Sequence, residues 1–249
     1  LIDCGVALIL DGMGILNIPH WTKPGGILDF IFPPLCLGCG EYTESPDSLC
    51  ESCQNRVERY EFPLCLTCGS VISERNRCVD CADQSFLLFS YGNYRDPLKQ
   101  VIIHFKFKGI TTPALFVARE AFLRFGSSIQ SLDCDGLVPI PLYASREYGR
   151  GYNQAKLYAE RLSELLALPV FDDILWRVRK RKPQASLRAF QRAGNIKDVF
   201  VAEAGDTTAK RVILVDDVVT SGATVREAKR SLEVAGFVVP AVISMAHGL

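Results

Sequence analysis

No run of apolar residues in this 249-residue chain approaches the ~18 needed to span a bilayer as a helix, so no membrane-spanning helix is expected among these residues. Gly5 to Leu10 is apolar but short, lies between Asp3 and Asp11, and has no basic residue ahead of it, so it does not read as a secretory signal. The first residue is Leu1 rather than Met, and the true start and role of residues 1–32 are left open. The Gly-x-x-x-x-Gly-Lys-Ser/Thr of a P-loop and the Gly-x-Gly-x-x-Gly of a dinucleotide fold are both missing. Net charge is absent too, with 28 bases against 28 acids, but the balance is uneven. Residues 1–85 hold 12 acids and 5 bases, whereas residues 86–249 hold 16 acids and 23 bases. What is present, 48% hydrophobic and 22% charged residues, fits a globular protein with one sizeable core and a small added module. The cytoplasm is the expected compartment.

Cysteine is plentiful. Eight of the ten fall in four pairs, Cys36-x-x-Cys39, Cys50-x-x-Cys53, Cys65-x-x-Cys68 and Cys78-x-x-Cys81. Each pair forms a knuckle presenting two thiolates, and tetrahedral Zn²⁺ takes four. Gly40 and Gly69 follow two of the knuckles and suit a turn with positive φ. Pairing sequence neighbours gives two Cys₄ ribbons, with 10 and 9 residues between knuckles. A cross-braced arrangement, first with third and second with fourth, has compatible spacing and stays open. Disulfides do not suit a cytosolic chain. Residues 33–85 carry 9 acids and 4 bases, and a Cys₄-bound Zn²⁺ adds negative charge. Such a module repels phosphate backbones and suits a scaffold or protein contact better. Cys4 and Cys134 are left over and read as inert thiols.

The stretch Val212 to Thr224, VILVDDVVTSGAT, carries the chemistry. Val212 to Val215 reads as a buried strand with Asp216 and Asp217 at its carboxyl end. The loop Thr220, Ser221, Gly222, Ala223 and Thr224 then opens a helix whose apolar side is Val225, Ala228, Leu232 and Ala235. Gly236 stops that helix, and Val238 to Ala246 forms the next strand, giving a parallel β-loop-α-β unit. Free backbone N–H groups and the positive end of the helix dipole suit an anion there. Gly222 permits close approach of a phosphate, and the hydroxyls add donors. The two acids would repel that phosphate and so serve sugar hydroxyls or Mg²⁺. A phosphate beside a diol describes a ribose 5-phosphate.

Hydrophobic, acid-acid, Thr-Ser-Gly-x-Thr resembles the phosphoribosyl-diphosphate (PRPP) signature of type I phosphoribosyltransferases. The resemblance implies an α/β fold, a parallel sheet with helices on both faces. It also implies that the loop holds the 5-phosphate and that Asp216 and Asp217 hold the ribose hydroxyls as catalytic residues. Upstream, Ser85 to Tyr91 reads as a strand, Leu98, Val101, Ile102 and Phe105 as a helix, and Ala114 to Phe125 as another. Gly136 to Pro141 reads as a strand whose loop carries Ser145, Arg146 and Arg150, which suit a second anion such as pyrophosphate. Arg150-Gly151-Tyr152-Asn153-Gln154 leads into a helix over Ala155 to Leu166.

Four elements in order resemble the ComF family of competence-associated proteins, over roughly residues 33–246. These are the double Cys-x-x-Cys ribbon, the helix bearing Leu98, Lys99, Ile102 and Lys106, the Pro139-Ile140-Pro141-Leu142 and Arg150-Gly151-Tyr152-Asn153-Gln154 pair, and the PRPP loop. A Lys182-x-Gln184, Arg192, Asn195 segment is also similar. Tyr143-Ala144 stands where a His-Pro pair is common, and Lys108 where a glycine is frequent. The implied organisation is an extension (1–32), a double zinc ribbon (33–85) and a phosphoribosyltransferase-like domain (86–249). Lys106, Ser145, Arg146, Arg150, Lys182 and Arg192 are the implied pyrophosphate or lid residues. Two structural Zn²⁺, Mg²⁺ with PRPP, competence-machinery partners and a place at the inner face of the membrane through those partners are also implied.

Residues 174–197 hold eight bases and no acid. In the resembled fold the corresponding segment is a lid over the reaction centre, which accounts for two or three cations. The surplus suits single-stranded DNA, with Trp176 and Phe190 available for stacking, although both aromatics fit a core equally well. Two functions follow: a DNA-handling protein of natural transformation that binds Mg²⁺-PRPP, or an active phosphoribosyltransferase with an unnamed acceptor and no DNA role. A zinc adaptor with a degenerate site fits the intact acid pair and loop poorly.

Overall fold

Apolar runs four to eight residues long, buried on both faces, set the architecture. The computed structural model describes residues 34–43, 49–72, 76–142, 151–178, 199–205 and 207–248. Within them the chain forms α1 (Glu51–Arg56), β1 (Leu64–Cys65), β2 (Leu87–Asn93), α2 (Leu98–Phe107) and α3 (Thr112–Gln130). There follow β3 (Gly136–Pro139), α4 (Gln154–Leu166), β4 (Leu175–Arg177), β5 (Phe200–Ala202), β6 (Val212–Val219), α5 (Ala223–Val234) and β7 (Ala241–His247). The main sheet has the order β1-β2-β7-β6-β3, with β2, β7, β6 and β3 parallel and β1 antiparallel to β2. β4 and β5 make a separate antiparallel ribbon.

Alternation along the strands divides the core in two. Phe89, Tyr91, Leu137, Ile213, Val215 and Ile243 face one side and pack with α2, α3 and α4. Leu88, Val138, Val212, Leu214 and Val242 face the other and pack with α5 and the β4–β5 ribbon. The expected parallel sheet with helices on both faces is therefore what forms. The helical spacing of Leu98, Val101, Ile102 and Phe105 buries one stripe of α2. Val225, Ala228 and Leu232 do the same for α5, and Gly236 at φ 95° ends it.

Three expectations need adjustment. The strand from Val212 does not stop at Val215 but runs to Val219, because its pairing with β7 continues through Asp216↔Ser244 to Val219↔His247. The acid pair thus lies inside a strand. The last strand begins at Ala241, since Val238 makes only an isolated bridge to Arg211 and Pro240 has no N–H for a ladder. The α3 helix extends to Gln130, well past Phe125, as Gly126 and Ile129 continue its buried side.

The outer edge of β2 would otherwise present unpaired backbone groups. Residues 58–66 cover it. Asn93 N donates to Glu58 O at 2.8 Å and Tyr60 N to Tyr91 O at 3.2 Å. Leu64 and Cys65 pair with Leu88 and Leu87, and Leu66 N donates to Phe86 O at 2.7 Å. The cysteine-rich segment therefore supplies a strand of the main sheet. Among the described residues, no helix is long and apolar enough to cross a membrane.

Candidate functional site

Parallel strands align their carboxyl ends, so the ends of β3 and β6 share one edge of the sheet, which the end of α2 reaches through Lys106. Strand alternation sends Asp216 and Asp217 to opposite faces. Asp217 meets α2, where Lys106 Nζ lies 2.9 Å from its Oδ1, and both side chains are largely buried. Asp216 lies on the α5 face. Its Oδ1 accepts the Asp217 backbone N–H at 2.8 Å. Burial, then the Asp217 charge, push the Asp216 carboxyl up to about 8, against the pull of that N–H, of Lys106 and of Arg177. The two expected sugar-binding acids are thus chemically unequal: Asp217 is paired with a cation, whereas burial and the Asp217 charge push Asp216 toward its neutral form.

Beyond Val219 the loop turns sharply. Gly222 adopts φ 72° at the start of α5, a conformation costly for other residues. Thr220, Ser221, Ala223 and Thr224 are exposed along it, and Ser221 Oγ accepts from Ala223 N at 3.4 Å. No acid occupies the first turn of α5, so the positive end of its dipole is unbalanced there. A residue that the sequence reading missed sits against this loop. Arg226 Nη2 donates to Ser221 O and Nη1 to Leu66 O at 3.1 Å. The signal available was its place four residues beyond Gly222, one turn along the same helix.

Gly151-Tyr152-Asn153-Gln154 has a packing role. Gly151 takes φ 80°, the Tyr152 hydroxyl donates to Phe105 O, and Asn153 caps α4 by accepting from Ala155 N at 3.0 Å. Asn153 Nδ2 also donates to Ile140 O at 3.1 Å, fixing the helix to the end of β3. These contacts hold α2, and hence Lys106, beside the acid pair. Ser145, Arg146, Arg150, Lys182, Arg192 and Phe190 lie outside the described residues. Within the basic stretch, Arg177 is in β4, with its guanidinium 5.2 Å from the Phe200 ring centre. Trp176 is 41% exposed and pairs with Val201, itself 42% exposed. It therefore lies on the outer face of the ribbon and is not a core residue.

The cysteines form two clusters, Cys36, Cys39, Cys50, Cys53 and Cys65, Cys68, Cys78, Cys81, the thiol sulfurs of each lying within 4.8 Å of one another. Sequence neighbours pair, and the cross-braced alternative is excluded. Gly40 and Gly69 take φ 78° and 85°, as the knuckle turns require. Burial pushes the Cys36 thiol up, but backbone N–H groups of Cys50, Cys39 and Gly38 outweigh it and lower it to about 6. The Ser70 hydroxyl and N–H lower Cys68 to about 6. In the first cluster Arg56 Nη2 donates to Cys53 Sγ at 3.0 Å. Four converging sulfurs with N–H···S support fit a structural Zn²⁺ in each cluster. Cys134 is apart, its thiol pushed up to about 11 by burial, which suits an inert thiol. Cys4 lies outside the described residues.

Comparison with known proteins agrees with this geometry. The double zinc ribbon domain family matches residues 27–82. Competence protein F of Haemophilus influenzae is 31% identical over 211 residues, covering 81% of this chain and 91% of that protein. DNA utilization protein YhgH of Escherichia coli K12 is 28% identical over 196 residues, 78% of this chain and 81% of that one. Competence protein ComFC of Bacillus subtilis is 29% identical over 195 residues, 75% and 78% of the two chains. With its double Cys₄ ribbon joined to a parallel α/β sheet, the chain belongs to the ComF family of competence proteins.

Proposed function

We propose that this protein binds Mg²⁺-PRPP at the end of β6 and acts in the handling of incoming single-stranded DNA. The observation that carries the ligand is the convergence, at one sheet edge, of two inequivalent carboxylates, a lysine and an anion-receptive loop on a helix N-terminus. The amides and hydroxyls of Thr220 to Thr224 receive the 5-phosphate. Asp216 and Asp217 accept hydrogen bonds from the ribose hydroxyls. Lys106, released from Asp217 as the sugar takes its place, turns to the pyrophosphate. Carboxylate oxygens are suitable donors for Mg²⁺, which would neutralise the pyrophosphate charge. If transfer occurs, these cations stabilise the departing pyrophosphate as positive charge grows at the anomeric carbon.

The DNA role is supported by the names of the relatives, which are competence and DNA utilization proteins, and by Trp176 exposed at the start of the basic stretch. An aromatic beside clustered cations suits stacking on a base with its backbone phosphates neutralised. The second reading, a phosphoribosyltransferase without a DNA role, rests on the same acid pair and Lys106.

Calorimetry with Mg²⁺-PRPP tests the site. Binding by the parent and its loss in Asp216→Asn/Asp217→Asn is expected, and equal binding by the double variant would overturn the assignment. Fluorescence anisotropy on labelled oligonucleotides tests the second part. Replacing Arg179, Lys180, Arg181 and Lys182 by Gln should weaken single-strand binding for all sequences and lower the log–log salt slope by about 0.7 per lost phosphate contact. No binding by the parent at low salt refutes the DNA role and leaves the transferase reading.

A further inference from the structure

Arg226 stands where helix electrostatics disfavour it. It lies in the first turn of α5, beside the positive end of the dipole, and has no carboxylate partner among the described residues. Its guanidinium bridges two backbone carbonyls instead. One is Ser221 O, inside the loop assigned to the ribose phosphate. The other is Leu66 O, one residue beyond the metal-cluster cysteine Cys65. The guanidinium lies flat against Gly222, where a Cβ would meet Nη1 at 2.7 Å. Gly222 thus makes room for an arginine as well as for a positive φ.

The other end of the bridge is anchored firmly. Cys65 pairs with Leu87 in the main sheet, Leu66 N donates to Phe86 O at 2.7 Å, and the Leu66 side chain is buried in the α5-side core. Thr67 Oγ1 donates to Gln84 O at 3.0 Å, tying the two arms of the second knuckle pair together. Cys65 thus belongs both to the second metal cluster and to the sheet, and Arg226 extends that anchorage to the loop.

We propose that Arg226 is a positioning residue that ties the 220–224 loop to the second metal knuckle, so that metal held by Cys65, Cys68, Cys78 and Cys81 sets the loop's capacity to bind a ribose phosphate. This rests on the ligand assigned under the proposed function. The bridge holds the Ser221 carbonyl, and with it the turn into α5, in place. The guanidinium also adds a positive charge beside the phosphate. The first knuckle pair has no such connection among the described residues and is predicted to be neutral toward the loop.

The test uses the full-length, zinc-loaded chain with two readouts, calorimetry against Mg²⁺-PRPP and against ribose 5-phosphate, and deuterium exchange at the amides of residues 220–224. Arg226→Ala should weaken both ligands about tenfold or more, through loss of charge-assisted hydrogen bonds, and should speed loop exchange. Arg226→Lys keeps the charge but cannot span both carbonyls, and should restore only part of each. Cys68→Ser, in protein verified to hold one zinc, should reproduce the Arg226→Ala effects in the parent and add nothing to Arg226→Ala. Cys68→His retains a metal ligand and should rescue. Parent-like binding and exchange in Arg226→Ala, or Cys68→Ser and Arg226→Ala effects that multiply, overturns the proposal. If the parent binds neither ligand, the ribose-phosphate reading fails, and with it the ligand half of this proposal. Loop exchange then decides the tether separately: acceleration in Arg226→Ala and Cys68→Ser upholds it, and unchanged exchange refutes it.

Discussion

Replacing Asp216 by Asn should make the ligand-free protein more stable while removing its ligand. Asp216 titrates near 8 in the folded protein, raised from 3.8 by burial and by the Asp217 charge. An unfolded chain releases this proton near pH 4, so between about pH 4 and 8 the folded state binds one proton more than the unfolded state. Stability therefore falls as pH rises through that window. Asparagine cannot ionise, keeps an oxygen to accept the Asp217 N–H, and is free of the decline. At ~1.36 kcal/mol per pKa unit the gain at pH 8 has an upper bound of about 5 kcal/mol. Partial solvent access to the carboxyl holds the gain below that bound, and each kcal/mol raises Tm by roughly 2–4 °C in a chain of this size. At pH 5 the gain should shrink to about 1.7 kcal/mol at most. Thermal denaturation at pH 5, 6, 7 and 8, in zinc-containing buffer without Mg²⁺ or ligand, reads this directly. Calorimetry on the same samples should find Mg²⁺-PRPP affinity in the parent rising toward pH 8, as the carboxylate form accumulates, and absent in the variant. A variant no more stable than the parent at pH 8, or equally stabilised at pH 5 and pH 8, would refute the buried-proton reasoning.

Metal analysis of protein purified under reducing conditions should return two zinc ions per chain, because each Cys₄ cluster is complete; one or none refutes the two-site assignment. Lys106→Met strands the largely buried Asp217 carboxylate and should cost about 1–3 kcal/mol of stability, with adding Asp217→Asn recovering most of it; failure of the double variant to recover would show that the pair is not coupled. Trp176→Ala should leave the melting temperature nearly unchanged, since the side chain is exposed. It should weaken single-stranded DNA by about 1–3 kcal/mol in anisotropy titrations, and an unaltered affinity would remove this ring from the DNA surface.

The parts of this protein legible in its sequence are those governed by local rules. Knuckle spacing announced the metal clusters, and the apolar run before the acid pair announced a central strand. Pairing of knuckles was not legible, because both arrangements satisfy the spacing and only the packed fold chooses between them. Nor was the inequivalence of Asp216 and Asp217. Adjacent letters suggested a matched pair, whereas a strand that continues past them sends one toward Lys106 and leaves the other governed mainly by burial and its neighbour's charge. The bridge made by Arg226 left no trace in the sequence, because one of its partner carbonyls, that of Leu66, lies 160 residues away. Tyr152 and Asn153 were legible only as part of a motif that leads into a helix, and the contacts they make serve to dock α4 and α2. Polar side chains that organise backbone leave the same trace in a sequence as those that bind substrate.

The antiparallel pairing of β1 with β2 also bears on how the chain is made. Residues 34–66 leave the ribosome before any other strand of the sheet, and domains generally fold as units in the order in which they are synthesised. A cysteine segment that has already captured metal would offer β2 a partner edge as soon as it emerges. In a cell short of zinc, the same nascent strand would meet an unformed edge and stay open until the remaining 150 or so residues arrive. Parallel sheets are slow to close because their partners are distant in the chain, and exposed edges invite other chains to pair. Zinc supply would then govern yield during synthesis as well as the state of finished molecules, with misassembled chains accumulating when metal is short.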